Sequence, residues 1–249
     1  MRTERHRIAL ISDVHGNQIA LREVLRSIDS HGTDEVVFLG DIATLGVAPG
    51  EVVDRIAQLG CRCVMGNHDD YILDPELDDA HSDGPSIAET IDWCRDQLSR
   101  EQIEFIGRFE HGFELPLGEH HHLKLFHGSP DSNTVDLLAE TPADTFDAQL
   151  GPERATVMAG GHTHIQMLRQ HRGALVVNPG SVGAAFREFV NGGTPVLLDH
   201  AEYATVEAMG GEVSVTLHRV GLDRHELAKA ARESAIPMRE LLLEQYEGL

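Results

Sequence analysis

The chain has 249 residues, 41% of them hydrophobic and 24% charged, which suits one large folded domain and excludes a disordered chain. Its 20 lysines and arginines face 41 aspartates and glutamates, and a formal net charge of −21 repels bare phosphate backbones, so stable nucleic-acid binding is not expected. No run of ~18 apolar residues is present to cross a membrane, the opening MRTERHRIALISD is too short in apolar residues for a signal peptide, and Cys61, Cys63 and Cys94 make no disulfide framework, so a reducing, cytoplasmic setting is expected.

The first third reads as repeating β-α units. Arg7 to Ser12 is a short apolar run ending at Asp13. A helical pattern follows, with Leu21, Val24, Leu25 and Ile28 on one face and Gly32 as its stop. Glu35 to Leu39 is a second strand, ending at Gly40-Asp41. Pro49 opens a helix carrying Val52, Val53, Ile56 and Leu59, and Gly60 closes it. Cys61 to Met65 is a third strand, ending at Gly66-Asn67-His68, with Cys61 and Cys63 on one face as small buried residues.

The middle changes character. Residues 74 to 86 are rich in Asp, Pro, Ser and Gly and read as an exposed loop, and Ser86 with Glu89 makes a capping box. The helix behind it aligns Ile87, Ile91, Cys94 and Leu98, and a second short helix runs from Arg100 to Phe109. The second half is strand-rich, with candidates at His122 to Phe126, Thr156 to Ala159, Ala174 to Val177, Pro195 to Leu198 and Val213 to Leu217. Leu222 to Leu249 is a helical tail interrupted at Pro237.

Metal-ligating residue types recur where the strands end. In order they are Asp13-Val14-His15, Gly40-Asp41, Gly66-Asn67-His68-Asp69, His127-Gly128 and Gly161-His162-Thr163-His164. The carboxyl ends of strands line the usual ligand crevice of an open α/β sheet. Asp13 and His15, like His162 and His164, stand two apart and project to the same side of an extended segment. Oxygen and imidazole donors suit Mn, Fe, Co, Ni or Zn, and so many of them exceed what one ion needs. Taken singly each has a plainer reading. Asp13 and Asp41 could be helix N-caps, Asn67 and His127 turn residues, and His162 and His164 solvent-facing strand residues. The ordered set outweighs these separate readings. His120 to His122 read as a solvated strand start, and the other scattered histidines as superficial.

Together the five blocks resemble the signature of the calcineurin-like metallophosphoesterase superfamily: D-x-H, G-D, G-N-H-[DE], H-G and G-H-x-H in that order. The resemblance covers residues 13 to 164, and Asn178-Pro179-Gly180-Ser181-Val182-Gly183 extends it to 183. It is most similar to the small bacterial phosphodiesterase-like branch. The fold it implies is an α/β two-sheet α/β/β/α sandwich with a small helical insertion. The expected division is a domain at 1–221, a cap-like insertion at 74–110 that selects substrate, and a tail at 222–249 that packs on the domain or forms a dimer contact. The resemblance implies two divalent metal ions, Mn²⁺ first among them, the first held by Asp13, His15 and His164. Asn67, His127 and His162 would hold the second, Asp41 would bridge both, and hydroxide between the ions would attack a small phosphate ester. His68 would stay off the metals and stabilise the transition state, with Asn67 and His68 also touching substrate.

One departure bears on the substrate. Phosphoprotein phosphatases of this superfamily continue G-D as G-D-x-x-D-R-G, whereas this chain has Thr44 for the carboxylate that would orient the histidine and Leu45 for the phosphate-holding arginine. A dianionic monoester loses most by that exchange, so a phosphodiester is the favoured substrate and a phosphomonoester the alternative. Arg187 is a candidate replacement charge, or else a surface residue. A non-catalytic scaffold would be expected to lose His68 or a ligand, and all are present. The 178–183 segment either cradles phosphate with its amides or braces the His162–His164 loop.

Overall fold

A computed structural model of the chain describes residues 5–77, 85–190 and 192–248. Two five-stranded sheets pack face to face with helices outside them, giving an α/β sandwich. The first half runs β1 (His6–Ile11), α1 (Gln18–His31), β2 (Glu35–Phe38), α2 (Pro49–Leu59), β3 (Arg62–Cys63), α3 (Asn67–Leu73), α4 (Pro85–Asp96) and α5 (Arg100–Ile106). The second runs β4 (Phe113–Leu117), β5 (His121–Leu125), α6 (Ala143–Leu150), β6 (Val157–Ala159), β7 (Met167–His171), β8 (Ala174–Asn178), β9 (His200–Met209), β10 (Glu212–Gly221), α7 (Arg224–Glu233) and α8 (Arg239–Glu247). One sheet has the order β10-β9-β1-β2-β3, and the other β4-β5-β6-β8-β7. Each is mixed: β1, β2 and β3 run parallel and β9 antiparallel to β1, while β5, β6 and β8 run parallel, flanked by antiparallel β4 and β7.

The two-residue period of a strand assigns side chains to layers. In β1, Ile8 and Leu10 enter the core between the sheets, where they meet Leu123 and Leu125 of β5 and Val157 and Ala159 of β6. Ala9 and Ile11 point the other way, onto the apolar faces of α1 and α2. Burial on both faces explains why β1 reads as a nearly unbroken apolar run. Beyond the second sheet, Phe146 and Leu150 of α6 close a smaller core with Met158 and Val176.

Both early helices stop at Gly32 and Gly60, as expected. The third strand is shorter than expected, and Cys61 is only half-buried. Pro195 to Leu198 is not a regular strand; its pairing is a single bridge from Leu197 to Phe186. The strands β4, β7 and β9 carry no clear sequence signal. Edge strand β4 contains Pro116, edge strand β7 is largely polar, and β9 interleaves small apolar residues with Glu202 and Glu207. Residues 78–84 of the expected loop lie outside the described residues, as does the Ser86 side chain on which the capping box with Glu89 rests. Among the described residues no helix is long and apolar enough to cross a membrane.

Asn17 ties this frame to the loops at the strand ends. Its side chain caps α1 by accepting from the Ala20 amide at 3.0 Å and donates to the Gly183 carbonyl at 3.0 Å. Asn17→Ala should cost about 1–2 kcal/mol. Urea unfolding should show a lower midpoint with an unchanged slope; an unmoved midpoint would show that the bridge adds nothing to stability.

Candidate metal centre

The strand ends of both sheets converge on one buried cluster. Asp13 and His15 follow β1, Asp41 follows β2, Asn67 opens α3, His127 follows β5, and His162 and His164 follow β6. Asp13, His15, Asp41 and His164 each offer a ligand atom within 4.8 Å of every other. His15 Nε2 lies 3.0 Å from His164 Nε2, and His164 Nε2 lies 3.3 Å from Asp13 Oδ1. A second grouping adjoins the first. Asn67 Oδ1 lies 3.1 Å from His127 Nε2 and 3.0 Å from His162 Nδ1. Asp41 Oδ2 falls between the groupings, 3.6 Å from His15 Nε2 and 3.4 Å from His127 Nε2.

Three of the histidines have their outer nitrogen fixed. His127 Nδ1 donates to the Leu39 carbonyl at 2.6 Å, and His164 Nδ1 to the Ala184 carbonyl at 2.7 Å. His15 Nδ1 meets the Thr44 hydroxyl at 3.2 Å. Each therefore presents Nε2 to the cluster, which is how metal-ligating imidazoles are oriented. Thr44, standing where a carboxylate was expected to orient His68, contacts His15 instead. His162 is turned the other way, with Nδ1 inward and Nε2 at 3.4 Å from Asp136 Oδ1. Asp136 had no signal in the sequence. Asp13 Oδ1 is fully buried and accepts no hydrogen bond from the described residues. That orphaned acceptor, with imidazole nitrogens crowded beside it, fits a divalent first-row cation.

The backbone is bent hard to make this convergence. Among the described residues seven non-glycine residues have positive φ, and five of them are Asp13, His15, Asp41, His162 and His164. Each such conformation costs on the order of 1–3 kcal/mol and persists only where surrounding bonds fix it. The fixing bonds are present: the His15 and Gly16 amides donate to the carbonyls of Asp41 and Ile42 at 3.0 and 2.9 Å. Neither Asp13 nor Asp41 caps a helix, since Asn17 caps α1 and α2 has no side-chain cap. Gly66 and Gly161 are required by close approach, because a Cβ on either would collide with Asp41 or with Ser12 and Asp13. Buried Asp69, which sequence reasoning left without a role, accepts from the amides of Asp41, Ile42 and Gly66, each at 2.9 Å. The 178–183 segment braces rather than cradles. Asn178 Nδ2 donates to the Gly161 carbonyl, while Ser181 Oγ and the Gly183 amide donate to the Asp13 carbonyl.

Charge is shared unevenly in the cluster. Burial would raise Asp13, but the charges of His164 and His127 and the His164 contact outweigh it and lower the carboxyl. Burial likewise opposes, and His127 and His68 overcome it, to hold Asp41 well below the usual carboxylate range. Burial pulls against His127, yet Asp41 and Asp13 raise it to about 10; Asp13 raises His164 in the same way. Burial and then the charge of His164 push His15 down to about 3. The raised His127 and His164 thus lie against the lowered Asp13 and Asp41.

The cluster forms the floor of a cavity of about 690 Å³. Its lining includes His15, Asp41, Asn67, His68, His162 and His164, and also Leu45 and Asp136. His68 donates its amide to Asp41 Oδ1 at 2.9 Å, and its ring sits edge-on to His15 and Tyr71. Arg187 is not among the lining residues; its side chain is half-exposed, 3.8 Å from Glu188. The His120–His122 tract joins no metal-competent cluster among the described residues.

The model of the calcineurin-like phosphoesterase superfamily domain matches residues 7–203. The chain belongs to that superfamily. It is 28% identical over 218 residues to the uncharacterized protein MJ0912 of Methanocaldococcus jannaschii, covering 79% of this chain and 84% of that one. In fold it is similar to a metallophosphoesterase from Sphaerobacter thermophilus, with a TM-score of 0.73, 22% identity and coverage of 97% and 98% of the two chains. It is also similar to the hypothetical protein PH1004 from Pyrococcus horikoshii OT3, with a TM-score of 0.79, 19% identity and 96% of each chain covered. The two-sheet sandwich is therefore that of the superfamily.

Because His127 is raised to about 10 without a cation, it holds a proton at neutral pH that a metal must displace. Binding at its Nε2 should release on the order of one proton per chain, and affinity should climb as pH rises. Titration calorimetry with Mn²⁺ in buffers of different ionisation enthalpy measures this directly. Heats independent of the buffer would contradict a protonated His127.

Proposed function

We propose that the protein is a divalent-metal-dependent phosphodiesterase. The observation that carries this reading is the set of imidazoles tethered at Nδ1 with Nε2 turned toward two buried carboxylates. Asp13, His15 and His164 would hold one ion, Asn67, His127 and His162 the other, and Asp41 would be shared. Mn²⁺ suits the oxygen and nitrogen donors, as do Fe, Zn, Co and Ni. Bound ions would supply Lewis acidity toward a phosphoryl oxygen and lower the pKa of water.

The chain's own residues do the rest. Asn67 and His68 line the cavity beside the ligands and would contact the phosphoryl group. His68 would donate its proton to the leaving ester oxygen, with its backbone anchored on Asp41. The diester preference rests on the cavity wall. Leu45 lines it where an arginine would hold a dianion, and no lysine or arginine is among the described lining residues. A singly charged diester needs that extra cation less than a monoester does.

Three measurements test the reading. Protein prepared without chelators should carry nearly two transition ions per chain, and in Mn²⁺ it should hydrolyse bis(p-nitrophenyl) phosphate faster than p-nitrophenyl phosphate. A large monoester preference would reject the diester assignment, and absence of metal under replete conditions would reject the centre. His68→Ala should keep its metal while kcat falls roughly 10²–10⁴-fold; undiminished turnover would remove His68 from the chemistry.

A further inference from the structure

The cavity is much larger than a phosphoryl group requires, and the C-terminal helices make part of its wall. Leu227 and Ala230 of α7 and Leu241, Leu242 and Tyr246 of α8 line it, with Met238 between the helices. The 74–110 segment, expected to select substrate, contributes only Ile87 and Ile91 among the described residues. The apolar surface begins at the metal cluster itself, since Phe186 stacks on the His164 ring with centroids 4.3 Å apart. It continues through Leu45 and Val47 toward the tail.

This wall is built into the domain. The Arg22 guanidinium of α1 forks onto Glu226 of α7, with bonds of 3.0 and 2.7 Å. Gln245 of α8 accepts the Leu197 amide at 3.0 Å, and its carbonyl receives Arg224 at 2.6 Å. Ala231 and Ile236 form a small core with Leu242, and Val47, Trp93 and Tyr246 pack against it. An apolar wall and a polar floor in one cavity describe a small-molecule pocket that suits an amphipathic ligand.

We infer that the α7–α8 wall is the specificity surface of the site and selects phosphodiesters bearing an uncharged, apolar alcohol. The inference rests on the phosphodiesterase reading and narrows it to a substrate class. Additional phosphates of a nucleotide would find no cation on the described lining, in a protein whose net charge is already −21. An alkyl or aryl group would instead displace water from the wall. Full burial strengthens binding about four-fold per methylene.

Dialkyl phosphates test this without depending on turnover. Dimethyl, diethyl and dibutyl phosphate are titrated into the Mn²⁺-loaded protein and binding is read from Trp93, the sole tryptophan, which packs against the tail core. Inhibition of bis(p-nitrophenyl) phosphate hydrolysis is measured in parallel. Dibutyl phosphate should bind at least ten-fold more tightly than dimethyl phosphate, and a dinucleoside tetraphosphate should bind no better than dimethyl phosphate. Leu241→Asp and Ala230→Asp should each flatten the chain-length dependence, with circular dichroism confirming the fold. Equal affinities across the dialkyl series, or preference for the tetraphosphate, would overturn the inference while hydrolysis left the phosphodiesterase reading standing. A chain-length dependence without hydrolysis of any ester would support the wall and sink the catalytic reading.

Discussion

Two carboxylates, Asp13 and Asp41, are buried where the sheets meet, and charge taken out of water there must be neutralised. The surrounding architecture follows from that constraint. Four histidines from three different loops crowd the pair, and the chain reaches them only by turning sharply at the strand ends. Left-handed backbone at five ligand-type residues is the local cost. Asp69 and the 178–183 brace offset it by fixing the loops from behind, each through hydrogen bonds to backbone rather than to the cluster's own donors. Asp69 illustrates the tension: burial and the neighbouring charge of Asp41 raise it to about 7, against three amide bonds that favour its ionised form.

The frame was legible where one local signal decided the outcome. Apolar runs stopping at Asp13, Asp41 and Asn67 marked strands that end at a crevice, and Gly32 and Gly60 marked helix ends. The signal failed where partners decide. In β9, Ala204, Val206 and Ala208 enter the inter-sheet core only because β1 and β10 flank that strand. Its interleaved glutamates hide this from a reading of periodicity. The Pro195 to Leu198 run shows the reverse case, since apolar composition alone does not provide neighbours for a ladder.

Within the cluster, residue types and order were visible while orientation was not. Sequence spacing could place Asp13 beside His15 but could not show that Asn17 would take the capping role. Nor could it show that Thr44 would meet His15 instead of serving His68. Asp136 was hidden because it acts across a loop junction, and Asp69 was visible as a residue type but not in its bonds to three backbone amides. Arg187 could be read either way from its charge, and its half-exposed side chain, 3.8 Å from Glu188, is not among the residues that line the cavity. The tail is a similar case. Its helices and the break at Pro237 could be read from pattern, but the surface they face is set by the Arg22–Glu226 fork and by Gln245.

The charge constraint also separates assembly of the frame from occupancy of the centre. In a small zinc domain the ligands have little else to organise them, and the ion supplies the folding energy. Here the Nδ1 tethers orient three rings through carbonyls and a hydroxyl, with Nε2 turned toward Asp13 and Asp41. The core between the sheets is one continuous apolar cluster. A cation at the site would therefore have tethered rings to bind, where in a small zinc domain it must organise its own ligands.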